Sequence, residues 1–389
     1  MRKLGIYVQV PFCQTKCTYC NFHTGVVSTA RFAPYVEAVC REIREHKAFY
    51  STAGVTLPKE LGEAVVDTVY IGGGTPSLLE PPHLQNILDT IRKSFAADFA
   101  EVTLEADPET VEYEKAAAWM RTGINRVSFG VQSFSDKELV AAGRMHRRAD
   151  IYRAVPVLRE AGIQNISFDL IAGLPHQTRE SWGQSLDELT ALEPEHASIY
   201  LLEVDEGSRL GKELLQGGGR YSAGAVPSED EMAEFYEMAL ETLRAAGYRH
   251  YEISNWAKPR LESKHNLKYW RREAYLGFGA GAHSFSGAQR WANVHDAAAY
   301  VSGVQSGRLP VEQHEKMTAE RALEEELFLG LRQLDGIDVA RIEREYGVTL
   351  AGRFEPLASA GLVKRDGNVV RLAPERLSVS NEVFVELMK

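Results

Sequence analysis

VPFCQTKCTYCNF, residues 10–22, decides what this chain is built around. It holds Cys13, Cys17 and Cys20, three of the four cysteines in the protein. The preceding LGIYVQV (4–10) is rich in β-branched residues and reads as a first strand, so the cysteines sit on the loop that leaves its carboxyl end. The spacing is Cys-x3-Cys-x2-Cys, and so tight a loop can wrap several corners of one small object. Structural zinc takes four ligands, usually in two pairs. Here the fourth cysteine, Cys40, lies in the helical pattern RFAPYVEAVCREIREH (31–46). Three thiolates on a [4Fe–4S] cube leave one iron open for a further ligand. The competing reading is a zinc knuckle completed by a distant histidine such as His23.

Working outward, β-branched runs recur at VVDTVYI (65–71), EVTLEA (101–106), NRVSFGV (125–131), QNISFDLIAGL (164–174) and ASIYLLEV (197–204). Amphipathic stretches of ten or more residues separate them. That alternation predicts βαβ units and a parallel sheet, hence an α/β fold. Six repeats suit either an open doubly wound sheet or a partial barrel, and both keep ligands at the carboxyl ends of the strands. Residues 203–230 are rich in glycine and charge and read as a mobile excursion, followed by a helix near 229–246. Beyond 310 come three helical patterns and LVKRDGNVVRLA (362–373), a hairpin turning at Asp-Gly-Asn. The expected organisation is a core over 1–205, a linker and accessory region over 206–310, and a winged-helix-like α+β module over 311–389.

Composition bounds the function. The chain has 389 residues, 44% hydrophobic and 25% charged, as expected of a globular protein with a proper core. Its net charge of -10 argues against nucleic-acid binding, which wants a basic surface. No apolar run is long enough for a membrane span, and MRKLGIYVQVPF reads as a strand rather than a signal peptide. The expectation is a cytoplasmic protein, where clustered thiols serve metal or catalysis.

Further polar residues fall at the strand ends. VYIGGGTPSLL (69–79) places Gly73, Gly74 and Thr75 after the second strand, where glycines allow close backbone approach to a ligand. Glu105 ends the third strand in TLEADPE, Gln132 the fourth in FGVQSF, and Asp169 lies in the fifth in SFDLIAGLP. Each alone reads as readily as a helix cap or turn residue. Three in succession beside the cysteine loop read as a site.

The cysteine spacing resembles the signature of the radical S-adenosylmethionine (SAM) superfamily. That resemblance implies a partial (β/α)6 barrel in which the open iron holds the amino and carboxylate groups of SAM. It also implies that an electron from the cube splits the sulfonium. YVQVPFCQTKCTYCNF, GGGTPSLL, LEADPE, FGVQSF, GRMH and DLIAGLPHQT are similar to a narrower branch, which contains oxygen-independent coproporphyrinogen III dehydrogenase and the HemW haem chaperones. By that resemblance Tyr7, Tyr19, Gly73, Gly74, Thr75, Glu105, Gln132, Arg144 and Asp169 line the SAM site.

Within the branch the resemblance implies two different functions. The dehydrogenase carries a further cysteine two positions after the third, where this chain has Phe22, and a long extension before the cluster, where this chain has twelve residues. SKHNLKYWR (263–271) keeps the HNxxYW pattern of the haem chaperones as His265, Asn266, Tyr269 and Trp270. The resemblance implies that this pattern serves haem; read as residues alone, His265 bonds within a loop and the two aromatics fill core. His283, in GFGAGAHSF, is a second candidate for haem or for structure. The expectation is a carrier of a [4Fe–4S] cluster, SAM and haem that delivers haem to apo-haemoproteins, respiratory ones among them, with a homodimer as its assembly. The alternatives are the dehydrogenase itself and, from another class, a zinc-stabilised DNA-binding protein using the C-terminal module.

Overall fold

A computed structural model describes residues 2–308 and 311–387. Six parallel strands run through its first half: β1 (Lys3–Val10), β2 (Val65–Gly73), β3 (Ala96–Ala106), β4 (Arg126–Gln132), β5 (Asn165–Ala172) and β6 (His196–Leu201). They pair in sequence order, and helices cross between them, starting with α1 (Phe32–Thr52). The helix over 229–245 follows the sixth strand, so the expected six β/α units are all present. Capping marks its start: Ser228 accepts from the Glu231 N–H and the Glu231 side chain returns to Ser228.

The barrel is open, and further strands extend both of its edges. After β6 come β8 (Asn255–Ala257) and β7 (Arg249–Glu252), both antiparallel. Beside β1 lies β9 (Tyr275–Phe278), which pairs with it in parallel. Then follow β10 (His283–Phe285), β11 (Gln289–Asn293) and β12 (Val311–Lys316), giving twelve strands in one sheet. On β1 the side chains alternate, as a pleat demands. Ile6, Val8 and Val10 are buried, and half-buried Tyr7 and Gln9 face the other side, towards the site.

The segment over 203–230, read from its composition as a mobile excursion, is built structure. A helix over 209–215 is capped by Ser208, and Leu210 and Ala223 are buried in a small apolar cluster with Ala142, Ile171 and Leu174. Its glycine and charge content hid that contact, which Leu210 and Ala223 make with Leu214, Tyr221 and Val226 packed around them. Helix α2 (Lys264–Trp270) precedes the C-terminal module and α3 (Ala319–Leu331) opens it. Helices over 339–346 and 351–359 follow. A hairpin of Val363–Asp366 and Val369–Leu372 turns at Gly367, whose φ of 59° lies in the left-handed region that glycine tolerates. Among the described residues no helix is long and apolar enough to cross a membrane.

Buried Glu42 ties α1 to the added strands. Its carboxylate accepts hydrogen bonds from the Gly279 N–H (2.9 Å), Asn293 Nδ2 (2.8 Å) and the Tyr300 hydroxyl. Burial nevertheless raises its pKa to about 7. A folded-state pKa above the unfolded value means that stability present at low pH is lost as pH rises through about 7. The unfolding free energy of Glu42→Gln, relative to that of the unmutated protein, should therefore rise by roughly 1–3 kcal/mol from pH 5 to pH 8, read by denaturant titration of the cluster-free protein.

Candidate functional site

The cysteine loop is held from three sides. Phe12–Cys13 pairs with Gly25–Val26 in a short parallel bridge. The Thr18 N–H donates to the Ala142 carbonyl (2.9 Å), and the Thr18 carbonyl accepts from the Leu210 N–H (2.8 Å). The GRMH turn and the 203–230 segment thus clamp the loop between them. Tyr19 packs into the small apolar cluster on the same side. Cys17 is buried, while Cys13 and Cys20 are half-buried. Burial raises the thiol pKa of both Cys13 and Cys20, so ligation there must displace protons. His23 does not turn to the cysteines; its ring stacks on His295 at 3.8 Å.

The glycine strand end closes against this loop. The Gly74 N–H donates to the Val10 carbonyl (2.8 Å), and the Thr75 N–H to the Phe12 carbonyl (2.7 Å). A Cβ on Gly74 would stand 2.4 Å from the Phe12 oxygen and 2.9 Å from Cys13 Sγ, so only glycine fits between them. Glu105 fixes the preceding residue: its carboxylate accepts from the Gly73 N–H (2.8 Å) and the Tyr70 hydroxyl (2.9 Å). Burial pushes the Glu105 pKa up to about 7. Tyr7, stacked on Tyr70, donates to Gln9 Oε1 at 2.5 Å.

Asp107 organises the other half. It pairs with Arg144 and accepts from Thr75 Oγ1 at 3.2 Å. Arg144 also donates to the Gly130 carbonyl (2.9 Å) and reaches Cys17 Sγ at 3.5 Å. Gln132 ends β4 at a φ of 64°, a conformation costly for a residue with a side chain. Its amide comes within 2.9 Å of where a Cβ on Gly130 would stand. Asp169 accepts from Ser128 Oγ (3.0 Å), and burial raises its pKa. Of the residues expected at the SAM site, Gly74 and Arg144 stand against the cysteine loop, Thr75 joins Arg144 through Asp107, Glu105 holds Gly73, and Asp169 is bonded to Ser128. A donor set of three thiols on a tight loop, facing a glycine cradle and paired charges, fits a [4Fe–4S] cluster with SAM at its open iron. Such a cluster, held by Cys13, Cys17 and Cys20, would supply a reducing electron to bound SAM. Sequence reasoning overlooked Asp107 and Tyr70. Asp107 stands two residues after Glu105 in the same quoted motif, the spacing that keeps two strand-end side chains on one side.

HNxxYW divides into two roles. His265 is buried, and both ring nitrogens are engaged, Nδ1 with Thr68 Oγ1 (2.9 Å) and Nε2 with the Tyr269 hydroxyl (2.8 Å). Burial lowers its pKa to about 3, so the ring is neutral. With both nitrogens engaged, His265 holds the Tyr269 hydroxyl in place. Asn266 stays in the helix start, where its N–H donates to Ser263 Oγ (3.3 Å). Tyr269 and Trp270 line a cavity of about 410 Å³ with Tyr275, Phe285 and, from β1, Tyr7 and Gln9. His283 stands exposed on its rim.

The barrel, the three-cysteine loop and the charged strand ends define a radical SAM protein. The Radical SAM superfamily model matches residues 7–189, and the HemN C-terminal domain model matches 317–375. The chain is 35% identical over 384 residues to the heme chaperone HemW of Bacillus subtilis, covering 97% of each. It is 35% identical over 283 residues to HemW of Escherichia coli, covering 72% of this chain and 69% of that one. Its fold matches the coproporphyrinogen III oxidase HemN of Escherichia coli with a TM-score of 0.84 at 22% identity, over 100% of this chain and 90% of the other. The chain belongs to the HemW family.

Serine at Cys13, Cys17 or Cys20 should each abolish iron and sulfide retention after anaerobic reconstitution, read by metal and sulfide analysis. Asp107→Ala should keep the iron and weaken SAM binding about tenfold or more, read by equilibrium dialysis.

Proposed function

We propose that this chain carries haem in the cavity lined by Tyr269, Trp270, Tyr275 and Phe285, and passes it to apo-haemoproteins, respiratory ones among them. The observation that carries the reading is the position of that cavity. Its wall includes Tyr7 and Gln9, the same β1 side chains that face the cluster end of the barrel. Flat aromatic walls suit a porphyrin, and about 410 Å³ lies within the range of cofactor pockets. So open a site leaves one edge of the porphyrin accessible, as transfer requires. His283 is the proposed iron ligand, because its ring nitrogens have no hydrogen-bond partner among the described residues, whereas both of His265 are taken. The relatives named as heme chaperones along the whole chain support the same reading.

The dehydrogenase alternative is less supported. Its fold is shared, but at 22% identity that likeness speaks for architecture alone. Phe22, which stands where the dehydrogenase pattern has its additional cysteine, is 65% exposed on the cysteine loop. We extend the proposal to a cluster-dependent homodimer, for which light scattering before and after reconstitution is the test.

Anaerobically reconstituted protein should bind haem at one equivalent, with His283→Ala shifting the Soret band and His265→Ala acting mainly through stability. With SAM, reductant and coproporphyrinogen III it should yield no decarboxylated porphyrinogen by chromatography. Absence of haem binding overturns the carrier, and decarboxylated product at useful rates restores the enzyme.

A further inference from the structure

Two arginines on the cavity wall are engaged by a carboxylate that belongs to another part of the chain. Phe285 lies between them, with Arg290 4.3 Å and Arg272 5.4 Å from its ring centroid. Arg290 donates from Nε and Nη2 to the two oxygens of Glu325, each at 2.8 Å, in the parallel fork typical of guanidinium–carboxylate pairs. Arg272 Nε shares one of those oxygens at 3.1 Å. Glu325 lies on α3, and Leu329, one turn further along the same helix, lines the cavity. Tyr275, another wall residue, takes a hydrogen bond from Arg290 Nη1 at 3.3 Å. Arg272 Nη1 also reaches Glu326 (3.4 Å), which in turn pairs with Arg341.

We infer that Arg272 and Arg290 form a subsite for the carboxylates of the cavity's ligand, and that Glu325 of α3 occupies it until such a ligand displaces the helix. The inference rests on the proposed haem reading and adds the chemistry of its recognition, since a porphyrin with propionates is an aromatic plate carrying carboxylates. The cavity supplies the matching parts: rings for the plate and two guanidinium forks beside them. Arg forks bind planar carboxylates better than a point charge does, and they exchange one carboxylate for another without a change in the number of hydrogen bonds. The side chains of Arg290 and Glu325 are 31% and 26% exposed, so a competing carboxylate can reach that fork, whereas the Arg272 side chain is 9% exposed and stays in the wall. A purely structural role for the same residues, as a tie between the barrel and the C-terminal module, makes no distinction between acid and ester ligands.

The test uses reconstituted full-length protein with iron protoporphyrin IX and its dimethyl ester, titrated in the same detergent by absorbance. Hydrogen exchange is followed over residues 319–331. The diacid should bind about tenfold tighter than the diester. Arg290→Gln should bring the two affinities together, Arg290→Lys should fall between, and Glu325→Gln should tighten the diacid alone. Exchange in α3 should rise when the diacid binds and stay level with the diester. Equal binding of both porphyrins by the unmutated protein, which needs no variant to fold, overturns the subsite and leaves the haem reading standing. An acid preference that survives Arg290→Gln in a variant of unchanged circular dichroism overturns it too. If neither porphyrin binds, the haem reading fails and the subsite falls with it.

Discussion

Everything at the open end of the barrel depends on two backbone hydrogen bonds. The N–H groups of Gly74 and Thr75 reach the carbonyls of Val10 and Phe12, drawing the end of β2 against the loop that leaves β1. A side chain at position 74 would collide with that loop. The contact fixes Cys13 relative to Thr75, Thr75 to Asp107, and Asp107 to Arg144, which returns to Cys17. The thiol loop and the strand-end charges are thus one connected object. Its rigidity comes from backbone geometry, and its charge comes from partly buried pairs that keep their strength by excluding water.

The parts of this arrangement visible in the sequence were those encoded locally. Cysteine spacing marked the loop, β-branched runs marked all six parallel strands, and Asp-Gly-Asn marked the final hairpin. Other parts depend on residues far apart in the chain. Strand β9 pairs with β1 across some 270 residues of sequence, and nothing in YLGF announces that partner. Leu210 supports the cysteine loop through one N–H, which no pattern of side chains records. His265 shows the same limit from the other direction. Its motif was recognisable, but whether its nitrogens face a ligand or the fold depends on Thr68 and Tyr269, and only the packed structure brings Thr68 to it.

The cavity and the cluster end share one face of one strand pair. Tyr7 and Gln9 belong to β1, and their neighbour β9 carries Tyr275 into the cavity wall. A change in the register of these strands would disturb both places at once, because a one-residue slip reverses which side chains face each side. The C-terminal module adds a further constraint on the cavity alone. Arg332 stacks over Trp270 at 4.7 Å and pairs with buried Glu252 at 2.6 Å.

The order in which these contacts are encoded has a consequence for synthesis. A chain leaving the ribosome presents Cys13, Cys17 and Cys20 before the residues that hold their loop. The support for that loop arrives much later: the Ala142 carbonyl, then the Leu210 N–H, and finally β9 along the exposed side of β1. Long-range pairings of this kind are slow to form, and domains generally complete as units. The iron-binding residues are therefore translated before their support and become rigid only once it arrives. Cluster insertion accordingly belongs after translation of the barrel and its added strands, when the nascent thiols have stopped being a flexible peptide.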